Sequence, residues 1–114
     1  MVRYGDNFPS DKAILEYKKV IGIDPKYENG YFYLGVVDFN IGNTDEAILN
    51  YSKVVELNPT HNIASLYLYS AYEKKGMLKE AKDALEQAVK YWVGSKEEKR
   101  EVEIKIRELK KQLN

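Results

Sequence analysis

Cysteine is absent from this chain of 114 residues, and several other residue types are scarce. Without cysteine, disulfide bonds and thiolate chemistry are excluded. A single histidine leaves no set of nitrogen and sulfur ligands for a metal site, so neither a metal nor another cofactor is expected. The seven glycines are spread along the chain and form no phosphate-binding loop.

An excess of charge of one sign is also missing. Lys and Arg total 18, as do Asp and Glu, so the formal net charge is zero. This balance argues against nucleic acid or an anionic membrane as the main partner. No apolar run approaches the roughly 20 residues that cross a membrane, and residues 1–10 lack the apolar stretch of a signal peptide. We therefore expect a cytoplasmic protein, with an exported or anchored parent protein as the alternative if the chain is a fragment.

What the sequence does contain is a period of 34 residues. Ala13, Ala47 and Ala81 are separated by this step twice in succession. The same step separates Tyr17 from Tyr51, Pro25 from Pro59, Leu34 from Leu68 and Gly42 from Gly76. A fixed period of this length indicates a stacked array of repeats, and such arrays commonly bind other molecules.

Apolar spacing and helix-stop residues predict six helices and no strands. The predicted helices cover about 11–23, 28–41, 45–57, 62–75, 79–92 and 96–113. Ser10, Thr44 and Ser95 are predicted N-caps, the last within a capping box with Glu98. Gly42 is predicted to end a helix at positive φ, as is its equivalent in the next unit.

The unit at 28–61 combines Tyr31-x-x-Leu34-Gly35 with Ala47-x-x-x-Tyr51 and Pro59. This combination resembles the tetratricopeptide repeat. The resemblance implies an all-α fold, a right-handed superhelical stack of antiparallel helix pairs. It divides the single domain into a half repeat at 11–27, full repeats at 28–61 and 62–95, and a capping helix at 96–114.

Several positions depart from the repeat pattern. Ser65 and Tyr69 stand where Tyr31 and Gly35 stand one unit earlier, an exchange of large and small that could conserve volume. Asp38 replaces an expected tyrosine. The three periodic alanines are expected in equivalent buried helix crossings. One stripe of the last helix is expected to cover the preceding helix: Val102, Ile106, Leu109 and Leu113.

In the family that these repeats resemble, the leading helix of each pair lines a concave groove that holds peptides. On helix 28–41, one stripe, Tyr31, Leu34 and Ile41, is predicted to pack inward, and a second stripe maps onto the groove. The predicted partner-binding residues are Asn29, Phe32, Tyr33, Val36, Phe39, Asn40, Ile63, Leu66, Tyr67, Ser70 and Lys74. The alternative is that these aromatic side chains cover one another or pack under residues 1–10.

The predicted function is a non-enzymatic scaffold that binds a protein or peptide partner through this aromatic groove. The alternative is a structural module that forms homo-oligomers through its repeat surfaces. The groove lacks the basic cluster with which co-chaperone members hold an acidic C-terminus. His61 is expected to be a solvated turn residue. The half repeat leaves an apolar face of helix 11–23 uncovered, and three covers are open: folded-back residues 1–10 with Tyr4 and Phe8, a second copy of the chain, or an upstream repeat of a longer protein. The segment 4–6 resembles the tail of a leading helix and its turn, which favours a fragment. We predict that the isolated chain associates through its N-terminal end.

Overall fold

The computed structural model describes the backbone of residues 3–114 and the side chains of residues 10–114, and this part of the chain is a stack of helices without strands. The helices are α1 (Arg3–Ile23), α2 (Glu28–Asn40), α3 (Thr44–Leu57), α4 (Asn62–Lys74), α5 (Leu78–Lys90) and α6 (Lys96–Leu113). The pairs α2–α3 and α4–α5 have the most extensive contacts, and α3 joins the two pairs by packing on α4. The prediction of an all-α helical repeat stack is confirmed.

The turn inside each helix pair is built identically 34 residues apart. Gly42 and Gly76 have φ values of 90° and 75°, as predicted from the need for glycine at a helix end. Just beyond them, the amide of Asn43 donates to the Asp38 carbonyl (2.8 Å), and the amide of Met77 donates to the Tyr72 carbonyl (2.9 Å). These bonds satisfy carbonyl groups that the end of a helix would otherwise leave unpaired.

Ala47 and Ala81 are completely buried, in agreement with the predicted crossings, but Ala13 is only half-buried. Ala47 belongs to the central cluster with Tyr51, Leu68, Ala71 and Ala84. A methyl group lets two helix backbones approach closely. Ala13 has no described leading helix across from it, and the prediction of an equivalent buried crossing there is wrong.

Two predicted helix starts are also wrong. α1 begins at Arg3 and passes through Ser10 without a break, so the segment 4–6 is helical and is not a turn. The N-cap of α3 is Asn43 and not Thr44, which is the first helical residue. The side chains of Tyr4 and Phe8 lie outside the described residues.

The last helix packs on α5 through a second cluster. Ile106 and Leu109 are buried against Leu85, with Val102 beside them. Leu113 remains 43% exposed, so it does not contribute to the predicted cover. Ser95 caps α6 by accepting the Glu98 amide at 3.1 Å and donating to the Glu98 carboxylate at 3.1 Å. Ser95 is confirmed as the N-cap, but the reciprocal bond of a capping box differs from the prediction, because the Glu98 carboxylate accepts from the Ser95 hydroxyl and not from the Ser95 backbone N–H.

Candidate functional site

A cavity of about 310 Å³ opens between the leading helices α2 and α4, and we call it the α2–α4 cavity. Its lining combines two apolar side chains, Val36 and Phe39, with four that carry a polar group, Asn40, Tyr51, Tyr67 and Ser70. Five of these six are residues that the sequence analysis assigned to the groove. The cavity is of the size at which small-ligand sites begin, about 300 Å³.

Tyr51 forms the floor of this cavity, and sequence analysis missed it as a site residue. The side chain is 2% exposed, and it reaches its position because residue 35 is glycine. A Cβ atom on Gly35 would lie 2.7 Å from the Tyr51 ring. The pair Gly35 and Tyr51 in the repeat pattern was the signal for this contact.

Tyr51 brings a hydroxyl group to the lining of the cavity. This hydroxyl makes no hydrogen bond within residues 10–114. No fully enclosed polar side-chain atom in that part of the chain lacks a partner, so this hydroxyl is not fully enclosed. Burial raises the pKa of Tyr51 to about 12, with further contributions from Tyr67 and the Asp38 carboxylate. The neutral phenol can therefore donate a hydrogen bond to a bound group across the physiological pH range.

Aromatic rings connect the cavity to the N-terminal side of the stack. The ring of Phe32 lies 5.2 Å from Tyr67, 5.5 Å from Tyr33 and 6.0 Å from Tyr51, between ring centroids. Tyr33 in turn stacks on Tyr17 at 5.8 Å. The pair Tyr51–Tyr67 repeats the pair Tyr17–Tyr33 after 34 residues, with an edge-on arrangement at 5.7 Å. These side chains partly cover one another, as the alternative interpretation expected.

His61 has a different place from the one predicted. It is half-buried, and its Nδ1 accepts the backbone N–H of Ala64 at 3.0 Å, which makes it the N-cap of α4. Its ring lies 5.4 Å from that of Phe32. His61 is therefore a capping and packing residue, and the prediction of a solvated turn residue is wrong. The available signal was its position, because the predicted helix start at residue 62 puts residue 61 at the N-cap, where backbone N–H groups need an acceptor.

Asp38 is the buried carboxylate next to the site. It is 5% exposed, and the Asn50 side-chain amide donates to its Oδ2 at 2.9 Å. Burial raises the pKa of Asp38, against the opposing effect of the Asn50 hydrogen bond. The hydrogen bond compensates part of the cost of placing a charge in this environment.

The remaining predicted residues do not all face the cavity. Lys74 lies at its rim, with Nζ 5.0 Å from the centre of the Phe39 ring. Ile63 is 54% exposed, and Asn29 is half-buried outside the cavity lining. Leu66 packs against the α5–α6 cluster, because it lies on the side of α4 that faces the last helix.

The packing face of α2 is buried at Leu34, whereas Ile41 lies beyond the helix and is 37% exposed, contrary to prediction.

Comparison with known families assigns the repeats. A tetratricopeptide repeat model matches residues 28–61, and a second model of the same repeat matches residues 70–91. The chain is a tetratricopeptide repeat protein. The two matches cover the α2–α3 pair and most of the α4–α5 pair, which carry the cavity and the buried alanines. A comparison with curated proteins gives no match.

Solved tetratricopeptide structures share the fold. MamA is 32% identical over 75% of this chain and 50% of its own, with a TM-score of 0.70, so this chain spans half the length of MamA. The Yersinia enterocolitica chaperone SycD, in complex with a peptide of the translocator YopD, is 19% identical over 91% of this chain and 79% of its own (TM-score 0.73). The first repeat domain of Spaghetti (RPAP3), bound to an HSP90 peptide, is 21% identical over 97% and 85% (TM-score 0.76).

Within residues 3–114, no helix is both long enough and apolar enough to span a membrane.

Proposed function

We propose that this chain is a protein-interaction scaffold that holds an extended segment of a partner protein in the α2–α4 cavity. The observation that carries the proposal is a cavity with apolar walls that is also lined by Tyr51, whose side chain is 2% exposed and whose hydroxyl makes no hydrogen bond within residues 10–114. An apolar side chain of the partner would fill the space between Val36, Phe39 and Tyr67. Aromatic residues of this kind are effective anchors in protein recognition.

The polar groups of the cavity suit the backbone of an extended peptide. Asn40 and Ser70 are exposed at the cavity and offer both donors and acceptors. The Tyr51 hydroxyl can donate to a carbonyl group that the bound segment would otherwise bury unpaired. These polar groups therefore orient the bound peptide, while contacts with the apolar walls supply most of its binding affinity.

Two relatives support a peptide as the bound molecule. SycD has been solved with a peptide of YopD, and Spaghetti with a peptide of HSP90. Both share the fold with this chain at low identity, so they support the class of partner and not its sequence. A binding role without catalysis also agrees with the family and with the use of His61 Nδ1 as a helix cap.

The test selects peptides from a random displayed library on the wild-type chain and measures their affinities by fluorescence polarisation. Ser70→Phe should fill the cavity and weaken binding at least about tenfold, equivalent to about 1.4 kcal/mol. Tyr51→Phe should weaken binding while leaving folding intact, because it removes only the hydroxyl. Leu49→Ala is the matched control, since Leu49 is 63% exposed and outside the cavity.

Equal affinities for all four proteins would contradict the proposed site. Sedimentation across a hundredfold concentration range distinguishes the alternative of self-assembly. If molecular mass rises with concentration in the wild type and not in Ser70→Phe, the occupant of the cavity is a second copy of the chain. Circular dichroism melting of each variant controls for loss of the fold.

A further inference from the structure

A second cavity, of about 290 Å³, lies where helices α3, α4 and α5 meet, and we call it the Ser65 cavity. Its lining consists of Ser65 and Gln87, the carboxylates of Glu80 and Asp83, and four largely apolar side chains, Val55, Leu68, Tyr72 and Ala84. It shares no residue with the lining of the α2–α4 cavity. The two cavities are therefore separate.

The preceding repeat shows what this space is shaped for. The residue 34 positions before Ser65 is Tyr31, whose hydroxyl donates to the Pro25 carbonyl at 2.8 Å. In the second repeat the equivalent carbonyl, on Pro59, accepts from Gln87 Nε2 at 3.0 Å. A serine cannot span the distance that the tyrosine covers, so Gln87 has taken over the hydrogen bond. The tyrosine ring has no replacement, and a cavity lined by both Ser65 and Gln87 remains.

Tyr69 does not fill this gap, although the exchange of Tyr31 for Ser65 and of Gly35 for Tyr69 predicted conserved volume. Tyr69 packs against both the central cluster and the cluster between α5 and α6. Its hydroxyl donates to Glu73 at 2.8 Å. It does not line the Ser65 cavity. The expectation of conserved volume is wrong at this position.

The polar groups in the Ser65 cavity have bonding capacity left. The Ser65 side chain is 1% exposed and makes no hydrogen bond within residues 10–114. The Gln87 amide donates to Pro59, which leaves its carbonyl oxygen as an acceptor. Of the two carboxylates in the lining, Asp83 is already paired with Lys79 and Lys82. The apolar walls, together with Ser65 and Gln87, match a planar ring that carries a hydroxyl group, and a phenol hydroxyl beside a carboxylate can donate to it.

We propose that the Ser65 cavity is a second binding site, which accepts the tyrosine side chain of a partner protein. The inserted ring would occupy the space that Tyr31 fills from within the chain in the preceding repeat. Its hydroxyl would donate to the free Gln87 oxygen or accept from the Ser65 hydroxyl. The site is independent of whatever occupies the α2–α4 cavity.

The first experiment records amide NMR spectra of the whole chain with p-cresol, which is the free tyrosine side chain, and with toluene. We expect p-cresol to shift the amides of Ser65, Leu68 and Ala84, with weaker shifts from toluene because it lacks the hydroxyl. A capped Gly-Tyr-Gly peptide should shift the same amides, and capped Gly-Leu-Gly should not. Shifts confined to Val36, Phe39 and Tyr67 would overturn the proposal.

Two variants close the cavity from opposite sides. Ser65→Tyr restores the ring within the chain, and Ala84→Met fills the space from α5 in case the first variant fails to fold. Each folded variant should weaken the binding of p-cresol at least about tenfold. Ser70→Phe, which closes only the α2–α4 cavity, should leave the affinity unchanged.

Undiminished p-cresol binding in a folded cavity-filling variant would overturn the proposal. So would binding of p-cresol without binding of the tyrosine peptide, because the site would then suit only a small free molecule. If the chain self-associates and Ser65→Tyr abolishes this self-association, the inserted tyrosine belongs to a second copy of the chain and not to a partner protein. Tyr27, which is 45% exposed, is the candidate in that copy. Because Ser70→Phe and Ser65→Tyr act on different cavities, this test fails or succeeds separately from that of the proposed function.

Discussion

Gly35 shows how one missing side chain shapes the binding surface. It lies on α2 and leaves room for the Tyr51 ring, which then forms the floor of the α2–α4 cavity. Alanine would favour the helix by about 1 kcal/mol on intrinsic propensity alone. The steric conflict with a ring that is itself enclosed opposes that gain.

Gly35→Ala should therefore destabilise the chain by about 1–3 kcal/mol, since overpacking a close contact has costs in that range. Urea unfolding monitored by circular dichroism measures the change. Gly22→Ala is the matched control, because a Cβ atom there meets nothing within 4 Å. The control should be neutral or stabilising by up to about 1 kcal/mol. Equal midpoints for both variants would show that the close contact is absent.

Asp38 connects stability to pH. Burial raises its pKa above the ordinary value of 3.8, so the folded state binds the proton more tightly than the unfolded state. The penalty for burying the charged form is absent below pH 3.8 and complete above the raised pKa. Stability contributed by this group therefore falls as pH rises through that window.

Asp38→Asn should raise the unfolding midpoint at neutral pH, because the neutral amide keeps an acceptor for Asn50 and removes the buried charge. The difference in unfolding midpoint between Asp38→Asn and the wild type should vanish below about pH 3.8, where the wild-type carboxyl group is protonated in both states. Thermal unfolding at several pH values tests this, with Asp11→Asn at an exposed position as the control for net charge. A difference in unfolding midpoint that does not depend on pH would show that the charge of the Asp38 carboxylate is not its cause.

At the scale of helices, the buried alanines set how closely pairs can pack. Ala47→Leu and Ala81→Leu should each destabilise the chain by about 1–3 kcal/mol, because both side chains are fully buried. Ala13→Leu should change stability by about 0.5 kcal/mol or less, since residue 13 is half-buried. Chemical denaturation of the three variants measures these differences. Equal losses would mean that α1 also has a tightly crossing partner.

Sequence periodicity was sufficient to predict the order of helices α1 to α6 and the glycine turns inside the two central pairs, because the repeat fixes glycine, proline and alanine at positions with definite backbone requirements. It did not predict where α1 and α3 begin. It placed Val36, Phe39, Asn40, Tyr67 and Ser70 together. It failed where the outcome depends on a neighbouring helix. Leu66 turns toward α6 and His61 caps α4, and neither depends on the repeat pattern alone. The sequence did not predict the Ser65 cavity. Exchanging a large and a small residue between two positions conserves the packed volume only if the large side chain fills the same space from either position.

For the whole molecule, α6 closes the apolar edge of the last full pair. Leu109 is buried against Leu85, whereas Leu113 on the same helix is 43% exposed. Terminal elements of repeat proteins protect the core from solvent in this way. We therefore expect the stability of α5 to depend on α6.

Leu109→Ala should destabilise the chain by about 2–5 kcal/mol through loss of burial and the cavity left behind. Leu113→Ala should change stability by about 0.5 kcal/mol or less. A chain truncated after Gly94 should aggregate or lose cooperative unfolding, measured by light scattering and by the slope of urea denaturation. Full solubility and unchanged stability of the truncated chain would contradict the covering role of α6.

The order of helix contacts also determines how the chain reaches its folded state. Extensive contacts occur between helices that are consecutive in the sequence, from α1–α2 to α5–α6. Each contact therefore closes only a short loop, and little chain entropy is lost before packing energy is gained. Proteins with such local contacts fold in microseconds to milliseconds. Folding can therefore start at either central pair and spread outward one helix at a time.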